Sequence, residues 1–203
     1  KYATFTYKVL DKMRTDFVLT GGEFISADVP VTVQSVSSSD VVAVTTQRLM
    51  DYGESYMGTS RVNLATPREL AQTGANYPRE ITERYLQLPQ ELPRRVVQQA
   101  RRITTAAQTP YEKVQAIQTY LHQLAYIEVG TVPPRSADGV DYFVFDARKG
   151  NCTNFASAMA AMLRSVGVPS RVATGYIPRD WNESSGTFTL HARDYHAWAE
   201  VYF

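Results

Sequence analysis

The sequence predicts an α+β fold, in which a buried helix packs against an antiparallel sheet and a small β-rich domain comes first. Three observations carry this expectation. Residues 1–65 consist of short β-branched and aromatic runs separated by Gly, Ser and Asp. From about residue 66 the pattern turns helical, with marked start signals and apolar residues at helical spacing. The last stretch, residues 170–203, returns to strand patterning. A chain of 203 residues accommodates one domain with an appendage or two small domains, and can bury a substantial core.

The β region contains candidate strands at residues 2–10, 17–19, 29–36, 41–49 and 56–64. No motif in it carries chemistry. Its aromatics Tyr2, Phe5, Tyr7, Tyr52 and Tyr56 fit either cross-strand packing or a binding surface, and packing is the simpler role. Two helix starts follow the same rule. Thr66-Pro67-x-Glu69 and Thr109-Pro110-x-Glu112 each place a capping Thr before a Pro at the first helical position, with Glu at the third. The second opens a helix whose Val114, Ile117, Leu121 and Leu124 make one apolar face, leaving His122 on the less apolar side. Another helix is expected over residues 94–107, with Val96, Val97, Ala100, Ile103 and Ala107 inward. Its Arg94, Arg95, Arg101 and Arg102 fall outside that face and read as a solvated surface or a contact for anionic polymer or lipid. Residues 129–148, with Pro133-Pro134 and the aromatics Tyr142, Phe143 and Phe145, read as a loop that either walls a cleft or covers the next helix.

That next helix holds the only cysteine. Phe155, Met159, Met162 and Val166 recur at helical spacing, and Gly167 with Pro169 marks the stop. Cys152 falls at the boundary between a turn and the first helical turn, where unpaired N–H groups and the helix dipole favour an anion. Taken alone it is either a small buried residue or a thiolate nucleophile. Downstream, residues 170–177 and 187–203 read as strands. In the last of them Tyr195, Ala197, Ala199, Val201 and Phe203 alternate with His196, Trp198, Glu200 and Tyr202, which puts His196 on the more polar face. An imidazole near the thiol would take its proton and return it to a leaving group, the arrangement of Cys/His acyl-transfer enzymes.

The segments Gly150-Asn151-Cys152-x-x-Phe155-Ala156-Ser157-Ala158, Met162-Leu163-Arg164-x-x-Gly167-Val168-Pro169-x-Arg171-Val172-x-Thr174-Gly175-Tyr176 and His196-Ala197-Trp198-x-Glu200-Val201-Tyr202 resemble the transglutaminase-like core family, a papain-like cysteine acyl-transfer fold. The likeness extends upstream through 84–89, 109–113 and 140–145, and is strongest to a bacterial, membrane-tethered branch that carries this core outside the cytoplasmic membrane. The resemblance implies catalytic roles for Cys152 and His196, and a protein or peptide substrate. It also implies an orienting Asp on the strand after the His-bearing one. That Asp is not found up to Phe203, so it is expected beyond it, with Asp194 as a less favoured local substitute. The implied organisation is residues 1–65 as the β-rich domain, 66–108 as a helical connector and 109–203 as the core, incomplete at its C-terminus.

The implied reaction is acyl transfer from a glutamine carboxamide or peptide carbonyl through a Cys thioester. Its alternatives are a peptidase or amidase of the same fold and a non-catalytic envelope binding or scaffolding domain. The remaining expectations are exclusions and a location. A net charge of +1 with 20% charged residues gives no electrostatic argument for nucleic acid. No cofactor is expected. His191, His196 and Cys152 lack a second short-spaced Cys/His cluster that would make a zinc site, and acidic calcium loops and glycine-rich phosphate loops are absent. There is no signal peptide and no apolar run near the roughly 18–20 residues of a membrane span. The chain begins with Lys1, so it reads as a piece of a longer polypeptide whose flanking segments would tether it to the membrane.

Overall fold

The computed structural model describes residues 1–10, 14–37 and 40–203. They divide into two compact units, Lys1–Ala65 and Thr66–Phe203.

The first unit is built from β1 (Tyr2–Lys8), β2 (Thr15–Phe17), β3 (Glu23–Ala27), β4 (Val31–Ser37), β5 (Asp40–Met50) and β6 (Ser55–Arg61). They form two antiparallel three-stranded sheets, ordered β1-β6-β3 and β2-β5-β4. Val44 and Met50 of one sheet and Tyr56 of the other meet Val9 and Val18 in a small shared core. Tyr7 and Tyr56 are directly opposed across β1 and β6 and stack at 4.9 Å, which realises the packing role for these two aromatics. Tyr2 and Tyr52 stay exposed. The Tyr56 hydroxyl accepts from Leu19 N–H at 2.6 Å and donates to Leu19 C=O at 3.1 Å.

The second unit opens with α1 (Pro67–Ala71), α2 (Arg79–Tyr85), α3 (Arg94–Ile103) and α4 (Pro110–Leu121). α1 and α4 both begin with the reciprocal Thr/Glu capping boxes that their sequences specify. The chain continues through β7 (Ala125–Tyr126), α5 (Gly139–Asp141), a π-helical turn (Tyr142–Ala147), β8 (Lys149–Gly150) and α6 (Cys152–Ser165). It closes with β9 (Ser170–Tyr176), β10 (Asp180–Asn182), β11 (Thr187–Thr189), a 3-10 turn (Ala192–Asp194) and β12 (Tyr195–Val201). α6 is the hub of its core, where Ala158, Met162 and Leu163 join Val96 of α3, Ile117 and Leu121 of α4, and Phe143 and Val144 of the π-helical turn, most of them wholly buried. On the other side α6 packs on β12, which pairs antiparallel with β9. The mixed helix and sheet arrangement is the α+β class expected.

Four local expectations need correction. The helix expected over 94–107 stops at Ile103, because the hydroxyls of Thr104 and Thr105 turn back onto the carbonyls of Ala100 and Arg101 at 2.9 Å each. Arg95 of that helix, 47% exposed, is more than a solvated side chain. Its guanidinium forks onto Asp141 (2.6 and 2.5 Å), reaches Asp146 (2.6 Å) and lies over the Phe145 ring at 4.6 Å. Residues 139–147, read as part of a loop, wind into helical turns whose Phe143 and Val144 are buried, so the segment covers α6 in the manner of the second reading. The run 187–203 is not one strand. Residues 192–194 form the 3-10 turn between β11 and β12, closed by Asp194, whose carboxylate accepts the His191 N–H at 2.7 Å.

Candidate active site

The nucleophile candidate owes its position to three asparagine and glycine contacts. Asn151 caps α6, its Oδ1 accepting from Thr153 N–H (3.2 Å) and Asn154 N–H (3.3 Å), while Asn154 Oδ1 returns to Asn151 N–H at 3.1 Å. Cys152 is therefore the first residue of the helix, partly exposed, and its own N–H lies outside that cap. Asn154 also anchors the incoming chain. Its Oδ1 accepts from Thr131 N–H at 3.3 Å and its Nδ2 donates to Thr131 C=O at 3.4 Å. Gly150 must be glycine for this to fit, since a Cβ there would stand 2.6–2.8 Å from the Asn154 side chain. At its other end α6 stops at Gly167, whose φ of +79° no other residue type adopts without cost. Lys113 Nζ donates to the Val166 carbonyl there at 3.0 Å.

β7 brings a residue to this end that sequence reasoning passed over. Tyr126 pairs in parallel with Gly150, and Ile127 N–H donates to the Gly150 carbonyl at 2.9 Å, so the Tyr126 ring is held two residues from Cys152. That ring lies 6.0 Å from Phe155, one helical turn beyond Cys152, and 6.5 Å from the imidazole of His196. The only sequence signal for Tyr126 is a two-residue bridge, too short to leave a pattern.

His196 sits at the start of β12, opposite Gly175 of β9. The helix and this strand run side by side in one direction. At the far end Ser170, opposite Val201, donates its hydroxyl to the Ala160 carbonyl of α6 at 3.1 Å; at the near end Tyr126 spans Phe155 and His196. Cys152 and His196 thus occupy the same end of the helix and sheet layer. No hydrogen bond joins the two among the described residues. The strand alternates as expected, with Ala197 buried and Glu200 on the other face, paired to Arg171 across the sheet at 2.7 Å.

The other sequence candidates fall elsewhere. Asp194 is buried in the 3-10 turn with its carboxylate on the His191 backbone, off the strand on which a substitute orienter for His196 was considered. His191 Nε2 lies 2.9 Å from the Asp180 carboxylate, and His122 is the exposed C-cap residue of α4. No group of three or more His, Cys, Asp or Glu among the described residues could hold a metal ion. No helix among them is long and apolar enough to cross a membrane.

Comparison with known proteins brings in four findings. A profile of the Transglutaminase-like superfamily matches residues 97–203. The Bacillus subtilis protein YebA, uncharacterized, is 36% identical over 111 residues, which is 51% of this chain and 15% of YebA. A protein-glutamine gamma-glutamyltransferase of Pseudomonas aeruginosa is 44% identical over 70 residues, 34% of this chain and 10% of that enzyme. The chain thus spans a small part of either curated relative. Among solved structures, the periplasmic domain of TgpA from P. aeruginosa, bound to ethylmercury, superposes with a TM-score of 0.73 at 25% identity, covering 100% of this chain and 68% of that one. A helix that starts on a cysteine, a sheet strand that delivers a histidine to the same end, and a profile match over the residues that build both lead to one conclusion: this chain belongs to the transglutaminase-like superfamily.

Proposed function

We propose that this chain is a cysteine acyl transferase acting on the glutamine carboxamide of proteins, with Cys152 as nucleophile and His196 as proton carrier. The observation that carries the reading is the placement of both residues at one end of the α6 and β12 layer, where Tyr126 spans the two elements. The gamma-glutamyltransferase relative supports glutamine as the acyl donor.

In the proposed reaction the imidazole of His196 takes the thiol proton and the sulfur bonds to the carboxamide carbon. Negative charge builds on the former carbonyl oxygen, and the Cys152 N–H, outside the helix cap, is placed to receive it. The C–N bond then breaks, the nitrogen takes the proton back from the imidazolium, and ammonia leaves a thioester. An amine attacks next; its proton passes to the imidazole, the C–S bond breaks and the sulfur is reprotonated. Water in place of the amine yields glutamate.

The test is incubation with a glutamine peptide and a labelled primary amine, scored for label, free ammonia and new N-termini. Stoichiometric label and ammonia are expected, abolished by Cys152→Ser and lowered about 10²- to 10⁴-fold by His196→Ala. Ammonia without label, or new N-termini, would establish the hydrolase instead. A Cys152 thiol that small alkylating agents modify no faster in the wild type than in His196→Ala would leave a non-catalytic binding domain. We further infer an extracytoplasmic, membrane-tethered setting, supported by the likeness to a periplasmic domain. Protease protection of the whole protein in spheroplasts, from which any outer barrier has been removed, would overturn it.

A further inference from the structure

The sheet that carries His196 is interrupted between its two strands by a hairpin, β10 and β11, that the proposed chemistry does not use. The hairpin leaves the sheet where Tyr176 of β9 faces Tyr195 of β12, the step next to Gly175 and His196. Tyr195 shares the face of the buried Ala197. That face therefore continues past the Cys152 end of the helix as an exposed aromatic pair, with ring centroids 5.7 Å apart. Further out, Trp181 and Phe188 are directly opposed on the hairpin at 4.7 Å, each 51% exposed. Two consecutive aromatic steps with this much ring in water are unusual on a free surface and suit a covered one.

The hairpin is also built to hold its shape. At its base Asp180 accepts from Arg193 (3.2 Å) with His191 Nε2 2.9 Å from the same carboxylate oxygen, and Ile177 N–H donates to the Asp194 carbonyl at 3.0 Å. At its tip Asn182 Oδ1 accepts from the N–H groups of Ser184 and Ser185 and from the Ser184 hydroxyl. Among the described residues β10 and β11 pair only with each other; the Trp181 N–H of β10 is taken up by the Arg179 carbonyl at 3.1 Å, so the outer edge of β11 is the one left for a main-chain partner.

Resting on the acyl-transfer reading above, we propose that this ribbon selects the acyl donor: an extended polypeptide lies along it, past the Tyr176/Tyr195 pair, with glutamine at Cys152 and an aromatic or large aliphatic side chain on the Trp181/Phe188 pair. The occupant is a polypeptide because the two features are complementary to one, rings for side chains and the unpaired outer edge of β11 for main chain. It is the acyl donor because the ribbon is continuous with the strand that presents His196. Trp181 stands six positions after Gly175, at most about 20 Å at strand rise, so the selected side chain falls within about six residues of the glutamine.

The test uses a polar glutamine peptide carrying a single Phe, moved from one to six residues from the glutamine on either side. Amine incorporation is measured with wild type, with Trp181→Ala combined with Phe188→Ala, with Phe188→Ser, and with the conservative Trp181→Tyr. Binding of the same fluorescent peptides to Cys152→Ser is measured alongside. A preference of about tenfold over the Phe-free peptide is expected at one side and spacing, carried in KM. It should fall below twofold in the double variant and in Phe188→Ser, persist in Trp181→Tyr, and leave the rate on the Phe-free peptide within twofold throughout. A preference that survives the double variant, or binding indifferent to Phe at every spacing, overturns the proposal. If no peptide is labelled yet Cys152→Ser binds the Phe peptides through Trp181 and Phe188, the acyl-transfer reading fails and the docking ribbon stands. If the double variant instead abolishes self-association and leaves peptide preference intact, the patch is a contact between copies and the proposal falls.

Discussion

The two units of this chain reach stability by different routes. In Lys1–Ala65 the core is five side chains, none of them fully buried: Val9, Val18, Val44, Met50 and Tyr56 keep 3–8% of their surface. The rest is cross-strand pairing and exposed Arg–carboxylate clamps, Arg14–Asp51, Arg48–Glu54 and Arg61–Glu23. In Thr66–Phe203, by contrast, Val96, Ile117, Phe143, Val144, Met162 and Leu163 meet around α6 at 0% exposure. Short strands in two three-stranded sheets have little apolar face to offer, and 65 residues lie near the size at which a single core is marginal. A helix with neighbours on several sides can be enclosed. The lesson concerns the site: Cys152 and His196 stand on the two elements that the better-packed core presses together, so their placement is set by packing and not by a flexible loop.

The sharpest way to break that comparison is Phe143→Ala. Its ring is wholly buried and meets Phe155 edge-on at 4.9 Å, so about 3–5 kcal/mol should be lost in urea unfolding of the second unit. A loss below about 1 kcal/mol would mean the core is looser than its burial indicates. Gly150→Ala comes next. The added methyl collides with Asn154, costing about 1–3 kcal/mol and disordering the cap before Cys152, which a changed alkylation rate at Cys152 would report. In the first unit the most sensitive polar position is Tyr56. Tyr56→Phe strips Leu19 of its partner on both N–H and C=O, for about 1–3 kcal/mol, and should leave the alkylation of Cys152 unchanged.

The pH dependence sharpens the contrast further. The Arg48 guanidinium, aided by the Asp51 N–H, lowers the Glu54 carboxyl from its ordinary 4.5 to about 2. A carboxylate held low contributes above its unfolded value and loses that contribution as pH falls through the folded one. The thermal midpoint of the first unit should therefore decline between about pH 4.5 and 2, and Glu54→Gln should flatten that decline. Burial raises the Tyr56 hydroxyl above its ordinary 10.0, so the complementary loss is expected as pH climbs past 10. The smallest effect is reserved for Arg14→Ala. Its ion pair with Asp51 is largely solvated, and no resolvable shift in midpoint is expected.

Much of this molecule could be read from its residues because the relevant signals are local. A capping Thr, a Pro at the first helical position and a Glu at the third satisfy one another within a single turn, and α1 and α4 begin where those residues stand. The α6 start at Cys152 and stop at Gly167 follow from a cap and a left-handed residue, and the alternation through His196 follows from the pleat. What escaped reading is non-local. Tyr126 matters through a two-residue bridge to Gly150, Arg95 through carboxylates some fifty positions away, and Asp194 through a turn that the strand-like composition around it concealed. The sequence by itself determined the capped helices α1, α4 and α6, most of the strands, the family and the two side chains most suited to acyl chemistry, since caps, periodicity and residue type are properties of neighbours along the chain. Only the tertiary structure decided that the two stand at one end of a shared layer, that an aromatic ring spans the elements bearing them, and that an exposed aromatic ribbon leads away from that end, because those relations depend on contacts between segments that share no local pattern.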